Sequence, residues 1–372
     1  MGDMDTLFVS FDEIEDPRMD RTKKFSIGEI MFLILCAVLC GVESWRGVED
    51  FGNDRLTWLQ SFLPYEHGIP SHQTIGRVMS LLKPATITKA FISFMTTLLP
   101  DSDLEIISLD GKTLRRSFDK AKGQKAIHIL NAWAVDSGMS LAQMKVDSKT
   151  NEITAVPDLL DMIDIKSATI VTDALNTQKT IAAKIVSKGA DYALPVKGNH
   201  KILQKEVQNA FDTHALNTAD PEVYLETIEK GHGRIETRKY SIISADVLSQ
   251  KSDWKGLEFI GKAVNETFRD GKDTCETRYY LLTFSGVKRF AKVVRGHWGI
   301  ENKLHWVLDV TFREDDCRVR KDHAPENFST IRKLALNLLR AEKSTKLSIP
   351  RKQARASRVP DYLNKILNVK EI

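Results

Sequence analysis

The sequence predicts an α/β protein in which a mixed β-sheet carries helices on both faces and follows an all-helical N-terminal domain. Through residues 1–100 apolar side chains recur at helical spacing, whereas beyond residue 100 short apolar runs alternate with helical patterns. The composition, 42% hydrophobic and 28% charged, is that of a globular chain, and 372 residues are enough for two or three packed units. We therefore expect a helical domain over 1–100, an α/β domain over 101–340 and a basic C-terminal tail over 341–372.

Local signals set the expected helix boundaries of the N-terminal domain. Ser26 and Glu29 form a capping box that opens a helix over Ile27–Leu39, and Gly41 is a suitable end. A further helix begins at Pro70-Ser71. Two short helices around a tight turn fit a DNA-binding helix-turn-helix, and equally an ordinary helical cap, because most helix pairs contact no DNA.

The order of strands and helices predicts the topology of the α/β domain. The predicted strands are Leu104–Leu109, Ala126–Val135, Leu141–Val146, Ala168–Val171 and Tyr192–Val196. The predicted helices begin at Asn151, span Thr177–Ser187 and follow Asn199. Three consecutive hairpin strands followed by βαβ crossovers give an RNase H-like mixed sheet, in which the first and fourth strands are neighbours. Further strands at about 215–290 predict a β-rich insertion before a last helix over 293–309.

Composition and local patterns argue against several classes of protein. The apolar run Ile30–Val42 is too short to span a bilayer, and the acidic N-terminus is unlike a secretory signal. The four cysteines form no C-x-x-C pair, which favours free thiols in a reducing compartment. The net charge of +4 is too small to indicate nucleic acid by itself. We expect a cytoplasmic protein with no membrane segment and no small-molecule cofactor.

Two aspartates follow strands that should be neighbours. We expect Asp110 to end the first strand, in Ser108-Leu109-Asp110-Gly111-Lys112, and Asp173 to end the fourth, in Val171-Thr172-Asp173-Ala174. Taken singly, Asp110 is explained as well by a turn and Asp173 by a helix cap or a loop. Two aspartates at matching strand ends together favour a functional site at that edge of the sheet. In-line attack on a phosphodiester needs two metal ions about 3.5–4 Å apart, and Mg²⁺ prefers hard oxygen ligands. Three converging carboxylates would supply them.

Glu301 is the expected third carboxylate. Its apolar and aromatic neighbours in His297-Trp298-Gly299-Ile300-Glu301 predict partial burial, and His297, Glu301 and His305 recur every four residues on one helix face. The histidines are expected to contact phosphates or carboxylates, or to lie in the core. A zinc site is an alternative, although no H-E-x-x-H or cysteine ligands accompany them. The acids that compete for the third place are Asp309, ranked second to Glu301, and then Glu314, Asp315 and Asp316.

Basic and aromatic residues beside the three acids are candidates for DNA contacts. Cations near a carboxylate triad can hold flanking phosphates, and tryptophan can stack on an unpaired base. The alternatives are solvated surface charge and core packing. The candidates are Lys112, Arg115, Arg116, Lys197, His297, Trp298, Lys303, His305, Arg318 and Arg320.

These residues stand within segments that closely resemble the H-repeat-associated proteins, a group of bacterial insertion-sequence transposases of the DDE superfamily. The similarity extends over nearly the whole chain. The segments are 68–78 (GIPSHQTIGRV), 110–115 (DGKTLR), 151–155 (NEITA), 172–174 (TDA), 195–199 (PVKGN), 232–236 (HGRIE), and 297–298 and 301–306 (HW and ENKLHW).

The resemblance implies an RNase H-like catalytic domain whose triad falls on Asp110, Asp173 and Glu301. It also implies two divalent ions, Mg²⁺ with Mn²⁺ able to substitute, and double-stranded DNA as substrate, both as terminal inverted repeats and as target. The expected reactions are strand cleavage at the transposon end and strand transfer, by a nucleoid-associated homodimer. One departure concerns the spacing Y-x2-R-x3-E-x6-K of related transposases, whose Tyr, Arg and Lys positions here hold Val294, His297 and Leu308.

Two other functions remain open from the sequence. A nuclease of the same fold would only hydrolyse DNA, and a catalytically silent descendant of a transposase would only bind it. The first differs from a transposase in making no strand-transfer products, and the second in making no metal-dependent cut.

Overall fold

The computed structural model describes residues 4–99, 105–118, 123, 125–146, 152–231 and 233–367. Its α-helices are α1 (Met4–Asp12), α2 (Ile27–Leu39), α3 (Trp45–Asp54), α4 (Leu56–Leu59), α5 (His72–Leu81), α6 (Pro84–Leu98), α7 (Glu152–Asp161), α8 (Lys179–Ser187), α9 (Lys201–Thr213), α10 (Val287–Gly299), α11 (Trp306–Val310), α12 (Ala324–Ala341), α13 (Ile349–Arg358) and α14 (Pro360–Leu367). Its strands are β1 (Ile106–Leu114), β2 (Ile127–Ala134), β3 (Met139–Val146), β4 (Thr169–Val171), β5 (Asp191–Val196), β6 (Tyr224–Gly231), β7 (Arg234–Ser244), β8 (Phe259–Arg269) and β9 (Lys272–Leu282). Leu104 and Asn151, where predicted elements begin, lie outside the described residues.

Helix α2 confirms the predicted capping box and lies at the centre of the helical part. The Ser26 hydroxyl accepts from the Glu29 N–H at 3.0 Å, and the Glu29 carboxylate accepts from the Ser26 N–H at 2.8 Å. All thirteen residues of α2 are buried, as expected for a helix that is apolar on every side. None of the helices in the described ranges combines the length and apolar character that a membrane span requires.

The C-terminal residues differ from the expected basic tail, because they fold into α13 and α14 against the N-terminal helices. The Arg55 guanidinium donates to the Ser357 carbonyl at 2.7 Å, and the Trp58 indole donates to Asn364 at 3.0 Å. Apolar residues of α14 join the same core as α2 and α12. One helical layer is therefore built from both ends of the chain, which a reading along the sequence does not show.

The strands form a single nine-stranded mixed sheet in the order β3-β2-β1-β4-β5-β9-β8-β7-β6. Strand β1 pairs in parallel with β4 and antiparallel with β2, which confirms the predicted adjacency of the first and fourth strands. The strands expected between 215 and 290 are present, and β6 joins them although it was not predicted. They continue the sheet, since β9 pairs with β5 from Val196↔Tyr279 to Ala193↔Leu282.

Helices cover both faces of the sheet, as predicted. Val156, Ile181 and Val207, from α7, α8 and α9, share one apolar core with the sheet. Val287 and Phe290 of α10 pack in a second core on the opposite face. Burial of such side chains contributes about 1.5–3 kcal/mol each, so the sheet is held from both sides.

Candidate active site

Asp110 and Asp173 lie at matching positions on neighbouring parallel strands. The last parallel pair between β1 and β4 is Ser108↔Val171, and each aspartate follows two residues later. Asp110 does not end its strand, contrary to the prediction, because β1 continues to Leu114 in antiparallel pairing with β2, where Asp110 faces Asn131. The side chains alternate along a strand, so the two-residue offset places both aspartates on the same side of the sheet.

Asp173 also has the capping role that was its alternative interpretation. Its carboxylate accepts from the backbone N–H of Asn176 at 3.3 Å and from the side-chain amide of Asn176 at 3.0 Å. The short 3₁₀ helix Ala174–Asn176 begins there. These bonds orient the carboxylate immediately after β4.

Negative charge is concentrated around Asp110. Burial first, and then the charges of Asp173, Glu152 and Glu301, raise the pKa of Asp110 to about 7. Burial and the charge of Glu152 likewise raise the pKa of Asp173, although Lys197 opposes this. A carboxylate whose charged form is disfavoured by burial and by like charges is stabilised by a bound cation.

Glu301 lies on a π-helical segment, Ile300–His305, between α10 and α11. Its side chain is exposed, contrary to the partial burial expected from its apolar neighbours. The π-helix explains the difference, because an i→i+5 hydrogen-bond pattern rotates residues away from the faces that a 3.6-residue period predicts. Such insertions are frequent at functional sites.

Two glycines bring this segment against the end of β2. A Cβ atom at Gly299 would lie 2.8 Å from Trp133 Cη2, and one at Gly296 would lie 2.7 Å from Val135 Cγ1. Only glycine permits the helix backbone to lie this close to Trp133 and Val135. The close packing brings Glu301 towards β1 and β2, where Asp110 lies.

The two histidines contact β1. His297 Nδ1 lies 2.8 Å from the Ser108 hydroxyl, and burial lowers the pKa of His297 to about 4. His305 Nδ1 lies 3.4 Å from Asp110 Oδ2, and its Nε2 lies 3.5 Å from Asn131 Nδ2. Burial also lowers the pKa of His305 to about 3, so both rings are neutral at pH 7. They connect Glu301's segment to β1 instead of presenting charge to phosphates.

Three of the four acids that competed with Glu301 are held by one lysine, and the fourth, Asp316, lies 3.5 Å from Arg116. The Lys112 ammonium lies 2.6 Å from Asp309, 3.2 Å from Asp315 and 3.5 Å from Glu314. Its side chain is only 7% exposed, so Lys112 is not positioned to contact DNA as predicted. Within the described ranges, no three His, Cys, Asp or Glu side chains already stand close enough to hold a metal ion.

Comparison with known families identifies the chain. Residues 101–338 match the model of the transposase DDE domain, and residues 8–95 match a model described as DDE_Tnp_1-associated. The chain belongs to the DDE transposase family. It is also 38% identical to the H repeat-associated protein YhhI of Escherichia coli K12 over 361 residues, which are 95% of each chain. Protein YbfL of the same strain is 39% identical over 361 residues, again 95% of each.

A solved structure gives a weaker similarity. The piggyBac transposase in a synaptic complex with hairpin DNA superimposes with a TM-score of 0.45 and 11% identity, over 100% of this chain and 83% of that one. This likeness is too low to transfer its DNA contacts to the present transposase.

The other predicted DNA contacts of the transposase are mostly exposed. Arg115, Arg116, Lys197, Lys303 and Arg318 are exposed, whereas Arg320 is partly covered. Some of them are also paired within the chain. Arg115 lies 3.1 Å from Asp315, Arg116 lies 3.5 Å from Asp316, and Arg320 donates to the Arg116 carbonyl at 3.0 Å.

A cleft of about 900 Å³ opens beside Glu301, between the extension β7–β9 and α10. Trp298, which is 43% exposed, lies on its wall beneath the guanidinium of Arg278, 4.3 Å from the ring centroid. The arginines of this cleft were not predicted as site residues. They are Arg234, Arg238, Arg278 and Arg295. Arg234 belongs to the 232–236 segment of the resemblance, and this was the one feature of the sequence that pointed to the arginines of the cleft.

The prediction also missed Glu152 at the acid cluster. Its carboxylate accepts from His128 Nε2 at 2.6 Å and from the Asn176 amide at 3.0 Å. The hydrogen bond from His128 lowers the pKa of Glu152, and the same bond raises the pKa of His128. Glu152 belongs to the 151–155 segment of the resemblance, but that pattern alone does not indicate a contact with His128, which lies on β2, 24 residues earlier.

Proposed function

We propose that this transposase cleaves DNA at the ends of its element and joins the freed 3′ ends to target DNA, with Asp110, Asp173 and Glu301 holding two Mg²⁺ ions on an RNase H-like sheet. Mn²⁺ is expected to substitute. The observation that carries the proposal is the matched register of Asp110 and Asp173, two residues beyond the last parallel pair.

The chemistry of the donor set suits a hard divalent cation. The three carboxylates offer oxygen ligands, and the pKa of Asp110 is raised by burial first and then by the negative charges of Asp173, Glu152 and Glu301. Two buried amide oxygens beside the aspartates, Asn131 Oδ1 and Asn176 Oδ1, have no hydrogen-bond partner among the described residues. Unsatisfied buried oxygens at this point indicate a missing donor or cation.

Divalent ions, when bound, activate the attacking oxygen and stabilise the leaving oxygen in each phosphoryl transfer. The protein's own contribution is to hold and orient the carboxylates. With a proton on Nδ1, the neutral His305 ring can donate towards Asp110 Oδ2 while its Nε2 accepts from Asn131 Nδ2. The same ring thus links the π-helix of Glu301 to the Asp110 carboxylate.

We further propose that exposed cations around the acids hold the DNA backbone. Arg115, Arg116, Lys197, Lys303 and Arg318 would contact phosphates, and Trp298 in the cleft would contact a base. Lys112, His297 and His305 act within the protein, because their polar atoms are engaged by Asp309, Ser108 and Asp110. A homodimer on paired inverted repeats, with the N-terminal helices contributing to end recognition, completes the proposal.

The test uses purified full-length protein and a labelled fragment that carries the DNA flanking its own gene, with Mg²⁺ or with EDTA. We expect metal-dependent nicks at one defined end and strand-transfer products. Asp110→Asn and Glu301→Gln should abolish both, whereas Glu258→Gln, which alters an exposed acid before β8, should cut normally.

Each other outcome contradicts the proposal in a different way. Binding without cutting would identify a silent DNA-binding descendant. Cutting without transfer would identify a nuclease. Cutting that survives in Asp110→Asn would remove the assignment of the triad.

A further inference from the structure

Glu152 stands against the backbone that follows Asp110. A Cβ atom at Gly111 would lie 2.1 Å from Glu152 Oε1 and 2.5 Å from His128 Nε2. The carboxylate therefore occupies the space that a side chain at residue 111 would need. Its charge acts on both Asp110 and Asp173. Glu152 is thus a fourth carboxylate at a site for which the family resemblance implies three.

A single amide joins Glu152 to Asp173. Asn176 Nδ2 donates to Glu152 Oε2 at 3.0 Å and to Asp173 Oδ1 at 3.0 Å. An amide nitrogen carries two hydrogens, so it can serve both carboxylates at once. Asn176 is fully buried, which fixes the bridge in one geometry.

Glu152 is oriented from its other side by a strand residue. His128 Nε2 donates to Glu152 Oε1 at 2.6 Å, and His128 Nδ1 lies 2.9 Å from the Thr113 hydroxyl on β1. The side chain of Glu152 is 13% exposed. The chain of contacts therefore runs from β1 through His128, Glu152 and Asn176 to Asp173.

We propose that Glu152 is a positioning residue of the metal site, which fixes the Asp173 carboxylate through Asn176 and adds negative charge beside it. This inference rests on the proposed function, because it assumes that Asp173 binds a divalent ion. Residues that orient a metal ligand change metal affinity by about 10–100-fold when they are altered.

The test measures Mn²⁺ binding to the full-length protein by electron paramagnetic resonance of the free ion, without DNA or turnover. Glu152→Gln keeps the shape of the side chain but removes its charge. The glutamine has only one acceptor oxygen for the two donors, His128 Nε2 and Asn176 Nδ2. We expect at least about a 10-fold weaker Mn²⁺ affinity. Asp158→Asn, an exposed charge on the same helix, should bind Mn²⁺ like the wild type.

A second variant guards against a folding defect in the first. Asn176→Ala should also weaken Mn²⁺ binding, and the double variant should lose less than the product of the two single effects, since both act through one chain of contacts. Circular dichroism of each metal-free variant confirms that the compared proteins are folded.

The outcomes separate this inference from the proposed function. Wild-type protein that binds Mn²⁺, with Glu152→Gln and Asn176→Ala binding equally well, overturns the role of Glu152 alone. Multiplicative effects in the double variant overturn the bridge through Asn176. Wild-type protein that binds no Mn²⁺ overturns the metal site and this inference with it.

Discussion

Replacing Lys112 with methionine distinguishes a buried structural charge from a DNA contact. Lys112 follows Asp110 on β1, and its ammonium lies within 3.5 Å of three carboxylates from the segment after Glu301. Lys112 thereby ties the strand of the first acid to the segment of the third. Methionine keeps a similar length and removes the charge.

The expected loss of stability is large because the pair is buried. The side chain of Lys112 is 7% exposed and that of Glu314 is 0% exposed. Removing one partner of a buried ion pair costs about 3–5 kcal/mol, since the other charge is left unpaired. We expect the lower end, about 3 kcal/mol, because Arg332 lies 4.0 Å from Glu314 and retains part of the compensation.

The pH of the measurement follows from the pKa of Lys112. Burial lowers that pKa, but the charges of Glu314 and Asp309 outweigh burial and raise it above its ordinary value. A raised lysine pKa gives a stabilisation that is complete below the unfolded pKa and is lost only as the pH rises through the folded value. At pH 7 the whole effect is therefore present.

The assay is urea unfolding of the full chain, followed by tryptophan fluorescence at pH 7, with Arg115→Met as the matched control. Arg115 pairs with the same Asp315 at 3.1 Å but is 80% exposed, so its loss should cost less than about 1 kcal/mol. DNA affinity is measured against salt concentration for both variants. Losing a phosphate contact reduces the slope of log affinity against log salt by about 0.9, which we expect for Arg115→Met and not for Lys112→Met.

One result would refute this reasoning. If Lys112→Met unfolds within about 1 kcal/mol of the wild type and shows the shallower salt dependence, Lys112 contacts phosphate, as the sequence suggested. The buried cluster would then have no structural role.

Three further predictions follow from local geometry. Asp110→Asn should stabilise the metal-free protein by up to about 4 kcal/mol at pH 8, because the pKa of Asp110 is about 7 in the folded protein and lower in the unfolded chain. In thermal unfolding, this gain in stability should shrink as the pH falls from 7 towards 4. Gly111→Ala should displace Glu152 and weaken Mn²⁺ binding in the resonance assay, whereas Gly198→Ala, with nothing within 4 Å of the added Cβ, should not. Ser26→Ala removes the cap of α2 and should cost about 1 kcal/mol in urea unfolding; no change would show that the cap is dispensable.

Signals between near neighbours in the chain were sufficient for much of the fold. The capping box at Ser26 and Glu29 needs only residues three apart, and it set the start of α2 correctly. The alternation of strands and helices gave the adjacency of β1 and β4, which brings Asp110 and Asp173 together. Right-handed crossovers leave few other arrangements for such a pattern.

The features that the sequence did not predict depend on contacts between distant residues. Lys112 meets Asp309 across 197 positions, and a lysine beside an aspartate reads as a surface charge until its burial is known. The π-helix around Glu301 is a local change of period that the apolar pattern does not record. The exposure of the Glu301 side chain is therefore visible only in the folded chain.

Local hydrogen bonding and the period of apolar residues predicted most of the helices and strands and the adjacency of β1 and β4, but they did not predict β6, α13 or α14. The family resemblance came instead from short motifs spread along the chain. Packing between distant segments determines which charges are buried, places Glu152 beside Asp110 and Asp173, and brings both ends of the chain into one helical layer. Burial and long-range pairing depend on how the elements pack, and that packing decides whether a charged side chain meets water, another charge or the site.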